Sequence, residues 1–152
     1  MRRVHGSAAF SLLQTVQSDA AGAYSLRITP ATGADYKAAL AQTSSCAAAE
    51  SAPTSVAVKA AVSITASDRT PSANFKIKGR VTPKHPGTDV VLQRKKGGRW
   101  VKVDSERLDG RSRYTFTVAP NWEGKRTFRV RWPSSDDDHS TGTSKGIVVT
   151  AS

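Results

Sequence analysis

Few residues of this chain carry reactive chemistry, and the only acidic cluster is Asp136, Asp137 and Asp138, followed by His139. Adjacent carboxylates could hold a hard cation such as Ca2+, which takes six to eight oxygen ligands spread around it. Consecutive residues of one loop point in different directions, however, and the DxDxDG spacing that wraps such an ion is absent. A solvated loop offsetting the nearby Arg129 and Arg131 is therefore the expected reading, with the cation site the weaker alternative. His5 and His85 fall at the terminus and in a loop. No HExxH, GxSxG or Gly-rich phosphate loop opening a helix is present, so no catalytic residue, no cofactor and no enzymatic activity are expected. The single cysteine, Cys46, excludes an internal disulfide and a Cys/His metal framework.

Binding chemistry is better represented. The net charge is +11, and it is unevenly shared: residues 1 to 59 hold five basic and three acidic side chains, residues 60 to 152 eighteen and nine. A surface of that kind attracts anionic polymers in general, including nucleic acid, teichoic acid, acidic polysaccharide and lipid headgroups, with an affinity that salt weakens. Lys76, Lys78, Arg80, Arg94, Lys95, Lys96, Arg129 and Arg131 are placed to form basic stripes. Specific nucleic-acid modules combine such stripes with exposed aromatics or a recognition helix, whereas Phe75, Phe116, Phe128 and Trp132 share the apolar phase of their segments. No specific nucleic-acid partner is expected. Trp100, after a hairpin, and Trp122, in "PNWEG", are the aromatics open to stacking on a sugar; otherwise Trp100 covers the edge of a core and Trp122 packs under its own turn. Lys76, Lys78, Arg80, Trp100, Trp122, Arg129 and Arg131 are thus the candidate polymer-binding residues, with an anionic cell-wall polymer or a glycan as the partner.

The elements that must position these residues show a period of two, the mark of half-buried strands. In "NFKIKGRV", Phe75, Ile77 and Val81 point one way and Lys76, Lys78 and Arg80 the other; Gly79 marks a bulge or the close approach of another backbone. "TDVVLQRK" turns inward Val90 and Leu92, "YTFTV" Tyr114, Phe116 and Val118, and "TFRVRW" Phe128, Val130 and Trp132. Pro83, Pro86, Gly87 and the Gly97-Gly98 pair supply turns. With an opening "AVSITAS" and a closing "GIVVTA", this makes about seven short strands with turn signals every ~8 to 12 residues, the pattern of an all-β sandwich or barrel. No apolar run approaches the ~20 residues that span a bilayer as a helix.

One offset of ninety residues relates Asp19 to Asp109, Tyr24 to Tyr114, Leu26 to Phe116, Ile28 to Val118, Pro30 to Pro120, Leu13 to Val103 and Phe10 to Trp100. An internal repeat explains the set more simply than coincidence does. It predicts two domains, a complete one over 60–152 and an N-terminally incomplete copy over 1–59, in which Phe10 to Val16, "GAYSLRITP" and "DYKAALAQ" are strands. The counterpart of residues 63 to 95 would precede residue 6, so the chain is expected to begin within a domain, as a piece of a longer protein.

The segment from Gly79 to Thr150, with its "TPKHPG" turn, "VVLQRKKGGRWVKV", the aromatic of "YTF", "FRVRWP" and a serine before the last strand, resembles the tandem immunoglobulin-like repeats of secreted and cell-surface proteins of actinobacteria and related bacteria. That resemblance implies an immunoglobulin-like antiparallel β-sandwich preceded by a truncated second copy. It also implies secretion or display at the cell surface, beside other domains of a larger parent protein. The role implied is that of a spacer or adhesive repeat, the alternative being a module that binds a cell-wall polymer or glycan through a basic sheet face and exposed tryptophan. In such a setting Cys46 reads as half of a disulfide whose partner lies outside the chain, or else as a free thiol.

Overall fold

The computed structural model describes residues 1–67 and 74–151, and the regular structure in them is all β. Two compact units divide the chain: Met1–Val58 with Asp136–Ser140, and Lys59–Ser135 with Thr141–Ser152.

The first unit holds β1 (Arg2–Val4), β2 (Ala34–Tyr36), β3 (Ala39–Leu40), β4 (Ala49–Glu50) and β5 (Thr54–Val56). β2 is the centre of an antiparallel sheet in the order β1-β2-β5, and β3 and β4 pair as a small ribbon. Across β1 and β2, Arg3 stands opposite Asp35 and its Nη2 lies 2.8 Å from Oδ2. The ring of Phe10 takes cations on its surface, with Arg3 Cζ 4.7 Å and Lys37 Nζ 4.5 Å from its centre. Residues 136–140 are stitched into this unit: the Asp138 carbonyl accepts from Gly33 N at 2.6 Å, and Ser140 N donates to the Val58 carbonyl at 2.8 Å.

Two expected strands of this unit are not formed. Of Phe10 to Val16, only Ser11 bridges Arg2; "GAYSLRITP" is irregular chain without a ladder. Tyr24, Leu26 and Ile28 are exposed as a result. A strand exists only through its partner's hydrogen bonds, and no described segment of this unit offers one to them. "DYKAALAQ" is β, as expected, but split into β2 and β3.

The second unit holds β6 (Ala61–Val62), β7 (Thr65–Ser67), β8 (Phe75–Thr82), β9 (Asp89–Lys96), β10 (Arg99–Arg107), β11 (Arg113–Val118), β12 (Gly124–Trp132), β13 (Gly142–Thr143) and β14 (Ile147–Ala151). In one sheet β8 lies between β11 and the successive β6 and β7. In the other the order is β10-β9-β12, with β13 and β14 both along the far side of β12. The nine segments occupy seven strand positions, since β6 and β7 share the first and β13 and β14 the last. Positions 1-2-5 facing 4-3-6-7 is an immunoglobulin-like sandwich.

Alternation fills its interior as the sequence predicts. Phe75, Ile77, Val81, Val90, Leu92, Tyr114, Phe116, Phe128, Val130 and Trp132 are all buried, with Leu108 and Val149 beside them. Burying side chains of this size stabilises the sandwich by roughly 1.5–3 kcal/mol apiece before chain entropy opposes it. The β9–β10 hairpin turns on Gly97 and Gly98, whose φ values of 56° and 79° make the two-residue connection that suits the twist of paired strands. On β10, an edge strand, the register slips between Lys102 and Asp104, and Val101 and Val103 both remain 45% exposed. Gly79 answers to a close approach: a Cβ there would collide with the Ser63 carbonyl and the Tyr114 phenol, which are themselves joined by a hydrogen bond from Tyr114 Oη.

Candidate functional site

The second unit presents two polar sheet faces, and the candidate residues divide between them. β8 puts Lys76, Lys78 and Arg80 on the outer face of its sheet because Phe75, Ile77 and Val81 occupy the inner one. Register supplies their neighbours. Lys76 lies between Ser67 of β7 and Thr117 of β11, Lys78 between Thr65 and Thr115, and Arg80 opposite Arg113. All of these side chains are exposed. The Thr65 and Ser67 hydroxyls donate to the carbonyls of Lys78 and Lys76 at 3.2 and 3.4 Å, which fixes their position on the face.

The opposite sheet carries Arg129 and Arg131 outward on β12, since Phe128, Val130 and Trp132 point in. Arg129 Nε donates to Gln93 Oε1 of β9 at 2.8 Å, and its guanidinium lies 4.2 Å from the centre of the Trp100 ring. Burial draws the pKa of Arg129 below the usual arginine range, and the adjacent charge of Arg131 acts in the same sense. Trp100 is therefore half-buried under a guanidinium on the outer face of this sheet rather than set as an open plate. Arg94 pairs with Phe128 and so belongs to the other phase of β9, away from Gln93 and Arg129.

Trp122 sits elsewhere again. Its ring stacks on Phe75 at 5.9 Å and tilts against Phe128 at 5.8 Å, while Nε1 donates to the Gly124 carbonyl at 3.2 Å. It packs against the rim of the core, with the Arg126 guanidinium 5.0 Å from its centre. Lys76, Lys78 and Arg80 thus form one group, Trp100, Arg129 and Arg131 a second on the opposite sheet, and Trp122 stands with the core.

The loop of Asp136, Asp137 and Asp138 is tied down rather than merely solvated. Asp136 Oδ1 accepts from His139 N at 2.9 Å, and His139, itself buried, has Nε2 2.9 Å from the Ala31 carbonyl. The three carboxylates do not converge on one another among the described residues; Asp136 is grouped instead with His139, its ligand atom within 4.8 Å of the imidazole's, while Asp137 and Asp138 stand apart. Cys46 is exposed in a turn in which Thr43 Oγ1 accepts from its N–H at 3.0 Å.

Sequence reasoning left Arg113 and the flanking hydroxyls out of the candidate set. Their signal was present in the outward phase of "SRYTFTV" and "TAS", but only register between strands shows that they border Lys76, Lys78 and Arg80.

No protein-family model matches the chain, and no curated protein matches it. Among solved structures, domains d3-d4 of the rat CD45 extracellular region are similar at 12% sequence identity and a TM-score of 0.43, over 93% of this chain and 78% of that one. No helix among the described residues is long and apolar enough to cross a membrane.

Proposed function

We propose that the chain is a non-catalytic immunoglobulin-like spacer or adhesive module of a secreted or cell-surface bacterial protein, one of a tandem series. One observation carries the reading. In the second unit the first and last strands lie side by side and run in the same direction, β6 beside β13 and β7 beside β14. Their backbones meet closely, for a Cβ on Gly142 would collide with the Ala60 carbonyl. A chain whose terminal strands run parallel enters the sandwich at one end and leaves at the other, so modules joined in series extend rather than fold back. Tension along such a series loads the two terminal strands in shear, and many interactions must then yield together. A core filled by Trp132, Phe116 and Phe128 suits this use, because it leaves sheet faces for contact and a rigid body between them.

The test is mechanical. Four copies of residues 59–152 in one polypeptide, stretched singly by force spectroscopy, should give a saw-tooth with one peak per module and equal increments of length. Extension without peaks, or one cooperative rupture for all four, would overturn the spacer reading.

A further inference from the structure

We propose that the outer face of the β7-β8-β11 sheet is a binding surface for a linear anionic glycan polymer, laid along β8 and held by Lys76, Lys78 and Arg80. This goes beyond the spacer reading and does not depend on it. Residues two apart on a strand repeat at about 7 Å, so the three cations form a straight row of regular pitch in the centre of the sheet. An extended polymer carrying one sulfate, phosphate or carboxylate per repeat of similar length meets the row without bending. None of the three, nor Arg113 beside Arg80, is in an ion pair among the described residues. The Asp109 carboxylate, in the turn before β11, is closed on the N–H groups of Arg111 and Arg113.

The neighbours of the row select the polymer. Ser67 and Thr117 flank Lys76, and Thr65 and Thr115 flank Lys78, each about 4.8 Å away across the strands. The Thr115 and Thr117 hydroxyls can both donate and accept, while those of Thr65 and Ser67, whose protons go to strand carbonyls, accept; together they match the hydroxyl-rich edge of a sugar chain. Single-stranded nucleic acid is held instead by aromatic side chains that stack on its bases. The rings of these strands, Phe75, Tyr114 and Phe116, are all turned into the core at 3% exposure or less. Charge and hydroxyl pattern together favour an acidic glycan over a nucleic acid.

Labelled heparin oligosaccharide, titrated against the full chain and followed by fluorescence anisotropy, tests the assignment. Binding is expected at low salt, with log affinity falling against log salt at a slope of about 3, one counterion per cation of the row. Lys76→Glu/Lys78→Glu should weaken it about tenfold or more and flatten the slope, whereas Lys102→Glu/Lys125→Glu, an equal change of charge on the other sheet, should leave it within about threefold. Lys76→Gln/Lys78→Gln, at unchanged melting temperature, serves if the charge reversal disturbs folding. Equal losses from the two double variants would show attraction to net charge alone and overturn the site. So would a lack of heparin binding at low salt, while the saw-tooth of the linked modules would be untouched by either result. Competition by oligothymidylate at the same charge concentration as effective as by heparin would overturn the choice of a glycan.

Discussion

Asp19 and Asp109, ninety residues apart, close the same turn. In each, Oδ1 accepts two backbone N–H groups, from Ala21 and Ala23 at 2.9 and 2.8 Å and from Arg111 and Arg113 at 2.8 Å both. The backbones agree as well: Asp19 N donates to the Ala23 carbonyl and Gly22 N to the Asp19 carbonyl, as Asp109 N does to Arg113 and Ser112 N to Asp109. Even the left-handed residue recurs, Gly22 at φ 81° and Ser112 at φ 56°. Aspartate suits the site because its short carboxylate reaches back to N–H groups two and four residues on.

That geometry sets an acid dependence. The N–H of Arg113 and then that of Arg111 hold the Asp109 carboxyl below its ordinary range, with both arginine charges adding to the effect. A folded-state pKa below the unfolded value contributes stability above the unfolded value, and the contribution is lost as pH falls through the folded one. Wild type should therefore exceed Asp109→Asn in urea midpoint near pH 6, with the gap closing below about pH 4. Tryptophan fluorescence is the measurement, since Trp100, Trp122 and Trp132 all belong to the second unit. A gap that persists unchanged at pH 2 would refute the charge argument.

Tyr114 gives the opposite limb. Burial pushes its phenol well above the ordinary range, and Oη donates to the Ser63 carbonyl. A raised pKa contributes stability that is complete below the unfolded phenol value of about 10 and is lost as pH climbs beyond it. Tyr114→Phe is expected to cost about 1–2 kcal/mol at neutral pH through the lost hydrogen bond. The variant should also lose less stability than wild type between pH 9 and 11. Parallel pH profiles for the two proteins would count against it.

Gly79 supports a prediction of larger size. A methyl group there meets a backbone carbonyl as well as the Tyr114 phenol, and only the phenol can be removed. Gly79→Ala should cost about 3 kcal/mol or more, and Tyr114→Phe in the same chain should restore only part of it. Full recovery in the double variant would mean that the Ser63 carbonyl gives way freely.

The second unit was legible in the sequence because nearly every strand is two-sided. Phe75/Lys76 and Phe116/Thr117 each name one buried and one exposed side, Val130/Arg131 one buried and one half-buried, and the period of two survives packing. Trp100 was ambiguous, because period alone cannot say whether an edge-strand ring lies over the core or over the outer face; its guanidinium partner comes from β12, two strands away across β9, a neighbour that only register reveals. The grouping of Lys76, Lys78 and Arg80 with hydroxyls, and their separation from Arg129 and Arg131, likewise depends on which strands pair. The first unit was misread where it mattered most: "GAYSLRITP" alternates like "SRYTFTVAP", yet alternation makes a strand only when a partner is present, and β8 supplies that partner to β11 alone.

The same contrast predicts where a protease enters. Arg27 lies in irregular chain with no ladder, between exposed Leu26 and Ile28, while its counterpart Thr117 is bonded into β11 opposite Lys76. Proteolysis requires a segment to leave its surroundings, and a segment without strand hydrogen bonds leaves at little cost. Brief trypsin treatment of the native chain should therefore cut after Arg27 well before Lys76, Lys78 or Arg80 on β8 and before Arg129 or Arg131 on β12. Mass spectrometry over a time course would identify the cuts. Protection at Arg27 equal to that on β8, in a protein shown to be monomeric by its sedimentation, would mean that Tyr24, Leu26 and Ile28 are covered in solution by the chain itself.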